Sequence, residues 1–206
     1  MWGVDVARCS FRRADLRESA FGGVSEAGRR SRYAQSDFSF ADFRDTAHQS
    51  AVMEDCLFVD TKLQSVNFAG TEFIRCKFVG AMENVSFAAT DVHRISRNEM
   101  RDVDLSAATL KWVDFRKINM ASVKWPTDER HLVVHNYRHV LAATAKHFES
   151  HRESDAAPLA RWLKKQLEKA GDDQQVGVIN LDGIKWLSPR FAEEFRLLAT
   201  KLSASS

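Results

Sequence analysis

Large apolar residues recur at every fifth position between Val6 and Trp125. A small or β-branched residue stands two positions before most of them, as at Ala14, Ser36 and Ala41. A period of five differs from the 3.6 residues of an amphipathic helix and from the two residues of a flat strand. A short fixed period is instead typical of a solenoid, in which each repeat buries its apolar residue by stacking on its neighbours.

Phenylalanine carries most of this pattern. Of the 14 Phe, those on the five-residue grid are Phe11, Phe21, Phe38, Phe43, Phe58, Phe68, Phe73, Phe78, Phe87 and Phe115. Alternate side chains of extended backbone point to opposite sides, so the large residue and the small one two before it both point inward. Because Phe38, Phe58 and Phe78 are spaced by twenty, we expect them to form one column. Aspartates just before the large residue, such as Asp37, suit tight bends.

Three positions on the grid are not apolar: His48, Glu83 and Arg97. The period slips by one residue before Phe87, and it slips again after Val92 and Arg97, before Met100. We expect bulged backbone at the slips, with Glu83 and Arg97 turned to solvent, because an unpaired buried charge is costly. We expect His48 to be a hydrogen-bonded interior or corner residue rather than a metal ligand.

The repeats at 14–16 (Ala-Asp-Leu), 36–38 (Ser-Asp-Phe) and 41–43 (Ala-Asp-Phe) resemble the motif of the pentapeptide-repeat family. This resemblance covers residues 4–125. It implies a mainly β fold, a right-handed quadrilateral β-helix with twenty residues per coil and about six coils. We therefore expect a β-helix over 1–125 and a separate region over 126–206.

The five-residue pattern is interrupted between Phe21 and Tyr33, where Gly and Ser are frequent. This composition predicts a loop over about 22–32 that leaves the coil. Loops on rigid scaffolds often carry recognition, and a tolerated insertion without function is the alternative. The candidates for partner binding in this loop are Gly23, Glu26, Arg29 and Arg30.

After Pro126 the five-residue pattern gives way to helix and strand signals, which predict an α/β or mostly helical region. Thr127 can cap a helix that continues to about Ser150. Ser154 and Asp155 can begin a second helix, which Gly171 ends. Part of this region should cover the last coil, since the open end of a β-helix exposes unpaired backbone.

The segment from about 161 to 202 resembles the core of STAS-like regulatory domains. It contains a predicted strand over 175–181, a turn at Asp182-Gly183, an extended piece over 184–187 and a final helix that Ser188-Pro189 opens. The resemblance implies that Ser188 could be a phosphorylation switch, although as a helix N-cap Ser188 needs no switch to explain it. The candidates for partner binding here are Trp186, Ser188 and Phe191.

The balance of charged residues limits the classes of function that this chain can have. With 30 Lys and Arg against 28 Asp and Glu, the net charge is +2. A DNA-binding surface requires clustered basic residues, and a DNA mimic requires clustered acidic ones. The overall counts show neither a basic nor an acidic excess, and we expect no direct binding of nucleic acid. We find no run of eighteen apolar residues and no signal-peptide pattern, so we expect a cytoplasmic protein without membrane association.

Candidate chemistry is sparse. His131, His135 and His139 are spaced by four, and two such histidines on a helix can share a metal, but exposed or packing histidines are the favoured interpretation. His147 and His151 repeat the spacing. There is no phosphate loop, dinucleotide fingerprint or nucleophile elbow, so we expect no catalytic residue, no cofactor and no enzyme activity.

Three functions remain open. The leading hypothesis is a non-catalytic scaffold, a rigid β-helix that presents flat faces to a protein partner. Some pentapeptide-repeat proteins mimic DNA and bind type II topoisomerases such as gyrase, so the family resemblance implies this alternative. The STAS-like resemblance implies a third, a regulatory protein that acts by partner switching. Homodimerisation through the C-terminal region also stays open.

Overall fold

The computed structural model describes residues 2–89, 100–172 and 174–204, with side chains left undescribed at 47–49. It divides into two compact units, Met1–Pro126 and Thr127–Ser206. The described strands of the first unit are β1 (Asp5–Ala7), β2 (Ala20–Gly22), β3 (Arg32–Ala34), β4 (Ala47–Gln49), β5 (Val52–Glu54), β6 (Leu57–Val59), β7 (Asn67–Ala69), β8 (Glu72–Ile74), β9 (Lys77–Glu83), β10 (Ser86–Ala88), β11 (Met100–Arg101), β12 (Asp104–Lys111) and β13 (Asp114–Arg116).

These strands stack in parallel on the four faces of a β-helix. Face 1 is the sheet β1-β3-β5-β8-β11, and face 4 is the sheet β2-β4-β7-β10-β13. The third sheet, β6-β9-β12, bends around a corner, because β9 and β12 are long enough to run along faces 2 and 3. Face 3 is continued by isolated bridges from Asp15 to Asp42 and from Asp42 to Lys62.

The expected column of phenylalanines is confirmed. The rings of Phe38 and Phe58 stack with centroids 5.2 Å apart, and those of Phe58 and Phe78 with centroids 4.6 Å apart. A second column on face 4 joins Phe68 to Phe87 and Phe87 to Phe115, both at 5.3 Å. Parallel strands on one face place identical positions one strand spacing apart, which brings the rings into van der Waals contact.

The corners of the coil lie two residues after each inward position. Arg8, Gln35 and Asp55 have φ angles of 54°, 51° and 53°, in the left-handed region, and most other corners share this conformation. The aspartates just before the inward residues therefore do not form the bends, and that expectation is wrong. Instead, Oδ1 of Asp37 accepts the backbone N–H of Ser39 at 2.9 Å, across the inward residue between them.

The first slip in the period lies in β9, which reaches from inward Phe78 to inward Met82 in four residues, whereas β12 takes five for the same step and shifts its register against β9. Phe87 pairs with Phe68, so this coil has one residue fewer than twenty. Met82 takes the inward position, and Glu83 turns outward to form an ion pair with Lys111 at 2.6 Å. This confirms the expectation for Glu83.

The second slip is larger than the sequence suggested. Val92 and Arg97 lie outside the described residues. Met100 pairs with Phe73 on face 1, the face that directly follows the face of Phe87. The described strands therefore form five complete coils, and Met120 and Trp125 follow as half of a sixth. For His48 only the backbone is described, paired with Phe21 and Phe68.

The second unit packs helices on a two-stranded antiparallel sheet. Its elements are β14 (His131–His135), α1 (Tyr137–Glu149), α2 (Ala156–Lys169), β15 (Val176–Asn180), α3 (Leu181–Leu187), a 3-10 turn (Pro189–Phe191) and α4 (Ala192–Ala204). The core includes Val134, Val140, Phe148, Leu163, Ile179, Ile184 and Phe195. Among the described residues, no helix has the length and apolar character needed to cross a bilayer.

Two predictions for the second unit are wrong. The helix expected from Thr127 begins only at Tyr137, because 131–135 pairs with β15 as a strand and Asn136 turns the chain with a φ of 53°. The extended piece expected over 184–187 belongs to α3. The side chain of Asn180 accepts the backbone N–H groups of Asp182 and Gly183 at 3.0 and 3.2 Å, and this capping starts the helix.

The other predicted elements are present. The second helix is α2, the strand is β15, and the final helix is α4 after the 3-10 turn. Ser188 does not cap that turn through its side chain, which corrects the N-cap interpretation. The expected covering of the last coil by the C-terminal region stays a prediction.

Candidate functional site

Face 4 of the β-helix differs from the other faces in charge. Its strands β2, β4, β7 and β10 contain no Asp, Glu, Lys or Arg. The described side chains that these four strands present to solvent are Ala20, Asn67, Ser86 and Ala88, whereas Gly22 and Ala69 are buried; the four strands are called here the uncharged face. Ser86 donates its hydroxyl hydrogen bond to Oδ1 of Asn67 at 2.8 Å. The face ends at β13, where Arg116 pairs with Asp114 at 2.9 Å.

Face 1 carries a ladder of ion pairs between coils. The carboxylate of Glu54 accepts hydrogen bonds from Arg32 and from Arg75, the latter at 2.6 Å. These two bonds lower the pKa of Glu54 from its usual value. One coil further, Glu72 pairs with Arg101 at 3.1 Å. Cations and carboxylates therefore alternate along this face.

Faces 2 and 3 also carry ion pairs, some within one coil and some between adjacent coils. Asp42 accepts from Arg44 at 2.6 Å and from Lys62 at 3.3 Å, and the bond from Arg44 holds the pKa of Asp42 well below its usual value. Further pairs among the described residues of these faces are Arg12–Asp37, Arg17–Asp15, Lys77–Asp104 and Lys111–Glu83. Because cations are interspersed among the carboxylates, the described part of the β-helix presents no continuous acidic strip.

Arg30, a predicted partner-binding residue, is used within the β-helix. Its guanidinium donates to the backbone oxygens of Ser50, Ala51 and Gly70 at 2.6–3.0 Å and to Glu72 at 3.1 Å. The side chain thus lies along successive coils and is mostly buried. It stabilises the coils next to the loop and offers little surface to a partner.

The loop itself is a small ordered hairpin. Val24 bridges Arg30, and the backbone N–H of Gly28 donates to Ser25 at 2.9 Å. Glu26 is exposed near the tip, and Arg29 is exposed in an ion pair with Asp5. The side chain of Trp2 lies against Gly23, and a Cβ atom added to Gly23 would come within 2.9 Å of Cδ1 of Trp2. Of the four loop candidates, only Glu26 and Arg29 present side chains to solvent.

The three candidates in the second unit do not share a surface. Trp186 on α3 is 75% exposed. Phe191 is buried, with its ring 5.7 Å from that of Phe148. Ser188 is fully buried, and its hydroxyl donates to the backbone oxygen of Asp155 at 2.8 Å, which ties the start of α2 to the end of α3. A kinase could not reach Ser188 in this conformation.

The suggested histidine triplet is not a metal site. His131 and His135 occupy opposite ends of β14, four residues of extended chain apart, and only His139 is helical. At about 3.4 Å per residue the two strand positions are roughly 13 Å apart, too far to share an ion. His131 is instead buried, with Nδ1 2.8 Å from Oδ1 of Asp128.

A different histidine pair converges with a carboxylate. His147 and His151 keep the spacing of four at the end of α1, and Glu194 approaches them from α4. Nε2 of His147 lies 2.6 Å from Oε1 of Glu194 and 3.3 Å from Nε2 of His151. The sequence showed the histidine spacing, but Glu194 is 43 residues beyond His151 and had no signal linking it to them.

Comparison with known proteins yields structural similarity alone. No family model and no curated protein sequence matches this chain. Two trypsin-treated variants of QnrB1, a plasmid-mediated fluoroquinolone resistance protein, are similar at 11% and 12% identity, with TM-scores of 0.39 and 0.35. Each match covers 59% of this chain, which spans 67% and 65% of those chains. A pentapeptide repeat protein (Rfr23) from the cyanobacterium Cyanothece 51142 matches at 14% identity and a TM-score of 0.19, over 60% of this chain and 85% of that one.

The geometry of this chain itself decides its fold. Inward residues recur at five-residue steps, four steps return the chain to the same face, and parallel strands stack equivalent residues from coil to coil. The first unit is a pentapeptide-repeat β-helix. Nothing in that fold specifies a partner, since one fold serves many functions.

Two of the three thiols of the pentapeptide-repeat β-helix belong to its packing, and the third, Cys9, is exposed. Cys56 and Cys76 are buried free cysteines in adjacent coils, spaced by twenty as their columns require. Burial raises the pKa of the Cys76 thiol well above its usual value, so that thiol stays neutral and unreactive. Their small side chains fill the inward sites two positions before Phe58 and Phe78.

Proposed function

We propose that this chain is a non-catalytic protein-interaction scaffold, and that a protein partner docks on the uncharged face of the pentapeptide-repeat β-helix. One observation carries the proposal: the other faces are covered by ion pairs, whereas β2, β4, β7 and β10 carry none. Covering charged groups costs desolvation energy unless each is matched by the partner. A partner avoids that cost on the uncharged face.

The rigidity of the β-helix supports this function. Stacked rings fill its interior, and parallel ladders pair the backbone of successive coils. A partner therefore binds a surface that is already ordered, and it loses little affinity to the ordering of the scaffold.

The two alternative functions have weaker support. A DNA mimic that binds a topoisomerase requires a continuous acidic surface, and the described faces alternate cations with carboxylates. Partner switching through a STAS-like domain requires an accessible Ser188, and that hydroxyl is buried and hydrogen-bonded.

The proposal is tested by adding charge to one face at a time. Asn67→Arg with Ser86→Arg places two cations on the uncharged face, and Gln64→Arg with Ala81→Arg places the same charge at exposed positions of face 3. Affinity capture from the native cell with the full chain, quantified by mass spectrometry, compares both variants with the wild type. We expect the first variant to lose its specific partner at least tenfold and the second to keep it. Equal capture by all three, or equal loss in both variants, would overturn the proposal.

A further inference from the structure

We propose that His147, His151 and Glu194 bind a divalent transition-metal ion, with zinc as the expected metal. This site lies wholly within the second unit, and the proposal does not rest on the scaffold function. The three ligand atoms are Nε2 of both histidines and Oε1 of the glutamate, and all lie within 4.8 Å of one another.

The triangle of ligand atoms has the dimensions that zinc requires. The two Nε2 atoms are 3.3 Å apart, and Nε2 of His151 is 3.5 Å from Oε1 of Glu194. Bonds of about 2.0–2.1 Å at tetrahedral angles place two ligands roughly 3.3 Å apart. The third edge, from His147 to Glu194, is 2.6 Å and opens by less than an ångström to admit the ion.

The surrounding structure holds the two histidines in position. His147 lies in the last turn of α1, and the hydroxyl of Ser150 donates to its backbone oxygen at 2.6 Å. The ring of Phe148 packs against both imidazoles, with centroids 5.0 Å from His147 and 5.8 Å from His151. The end of α1 also carries the negative pole of the helix dipole, which favours a cation there.

A second carboxylate lies beside one of the ligands. Oε2 of Glu153 lies 3.4 Å from Nδ1 of His151, and Arg190 approaches the other oxygen of Glu153 at 3.5 Å. A histidine that gives its Nδ1 hydrogen to a carboxylate directs a basic Nε2 lone pair at the metal, an arrangement that recurs around protein-bound zinc. Glu153 is therefore close enough to take this outer role once His151 binds the ion.

The ligand set selects the kind of ion. Two imidazoles and one carboxylate favour zinc and related transition metals, whereas magnesium and calcium favour oxygen ligands alone. His147 and Glu194 are half-exposed, so the fourth coordination position is open to water or to a group from a partner. Because the ligands come from α1 and α4, bound metal would join these helices and stabilise the second unit.

The test uses the full chain, free of any histidine tag, with zinc alone as the probe. Competition against a chromophoric chelator measures affinity and stoichiometry, and cobalt substitution reports geometry through its visible absorption. We expect one ion per chain, a tetrahedral cobalt spectrum and a higher midpoint of thermal unfolding with zinc. His147→Ala, His151→Ala and Glu194→Gln should each weaken binding at least a hundredfold, and Glu153→Gln by roughly 10–100-fold.

Matched controls keep the test decisive. His139→Ala removes an exposed histidine of the same helix and should leave zinc affinity unchanged. Helical circular dichroism identifies any variant that fails to fold, and Glu194→Gln and Glu153→Gln preserve shape. No stoichiometric zinc at micromolar concentrations, or binding that survives both His147→Ala and His151→Ala, would overturn the proposal. A thiolate absorption band in the cobalt protein would assign the ion to a cysteine and overturn it equally.

Discussion

In the β-helix buried side chains stack on the equivalent positions one coil away, ring on ring along faces 2 and 4, whereas the second unit buries a different combination of side chains at each point of its core. Phe58 stacks between Phe38 and Phe78. In the second unit, Phe148 packs beside Phe191 and Phe195 from chain segments over forty residues away. The β-helix is thus stabilised by repeated contacts between neighbours, and the second unit by a few contacts between distant segments.

The same contrast appears in how the two units hold their charges. In the β-helix, arginines bridge adjacent coils, as Arg75 does by bonding Asp55 and Glu54. In the second unit, titratable side chains join different elements, as His147 and Glu194 join α1 to α4. Four substitutions test this contrast.

The largest effect is expected from breaking a column. Phe58→Ala removes a ring that is 1% exposed and leaves a cavity between its two stacking neighbours, which should cost about 3–5 kcal/mol of unfolding free energy. Urea unfolding measures the loss. Phe40→Ala, at a corner position that is 39% exposed, should cost less than about 1 kcal/mol. Similar costs for the two variants would contradict a core of stacked columns.

A smaller effect is expected from Arg30→Gln. The change removes donors from backbone oxygens of two coils and from Glu72, which should cost about 1–3 kcal/mol. Arg29→Gln, which breaks only an exposed pair with Asp5, should cost roughly 0.2–1 kcal/mol. Denaturant midpoints measure both losses of stability. A greater loss from Arg29→Gln than from Arg30→Gln would contradict the stabilising role given to Arg30.

In the second unit, Asn180→Ala tests a local signal. It removes the side-chain oxygen that caps α3 and should cost about 1 kcal/mol. Ser154→Ala is the control, because α2 has no side-chain cap hydrogen bond at its start, and its cost should stay within about 0.5 kcal/mol. Unfolding followed by helical circular dichroism measures both changes. Equal costs would show that the turn forms without its cap.

The smallest effect on stability is expected from lowering the pH. Arg32 and Arg75 lower the pKa of Glu54 below 4.5, and a hydrogen bond from Arg17 lowers the pKa of Asp15 from 3.8 to about 2. A lowered pKa in the folded state contributes stability that is complete above the unfolded value and is lost as pH falls through the folded value.

The β-helix should therefore keep its stability down to about pH 5 and lose part of it between there and pH 2. Arg75→Gln should flatten this dependence in thermal unfolding midpoints, since Glu54 and Asp55 lose a partner. Arg8→Gln, at an exposed corner, should leave it unchanged. Identical pH profiles for wild type and Arg75→Gln would show that the ion pairs of Arg75 do not cause the pH dependence of stability.

The elements of the second unit show why local signals mislead. Residues 131–135 carry the histidine spacing of a helix, yet they form β14 because β15 pairs with them from 45 residues away. Residues 184–187 include Ile184 and Trp186, which favour strands, yet Asn180 initiates a helix there. In each case a contact or cap outside the window decided between two local preferences of similar energy.

In the candidate sites, too, some features are visible in the sequence and others only in the structure. The spacing of His147 and His151 was visible in the chain, but Glu194 and Glu153 join them only through the packing of α4 and the turn after α1. The loop over 22–32 was visible as an interruption, but the burial of Arg30 beneath it was not. The uncharged face appears only once the coil aligns β2, β4, β7 and β10.

The amino-acid sequence alone determined the β-helix, its inward columns and the outward turn of Glu83, because each five-residue repeat contacts its neighbours in a fixed register that one period describes. Tertiary structure alone decided where the corners lie, how many coils form, which elements the second unit adopts and which side chains meet across them. The physical reason is distance along the chain. Contacts that repeat every twenty residues leave a period in the sequence, whereas contacts that occur once, between segments dozens of residues apart, leave none.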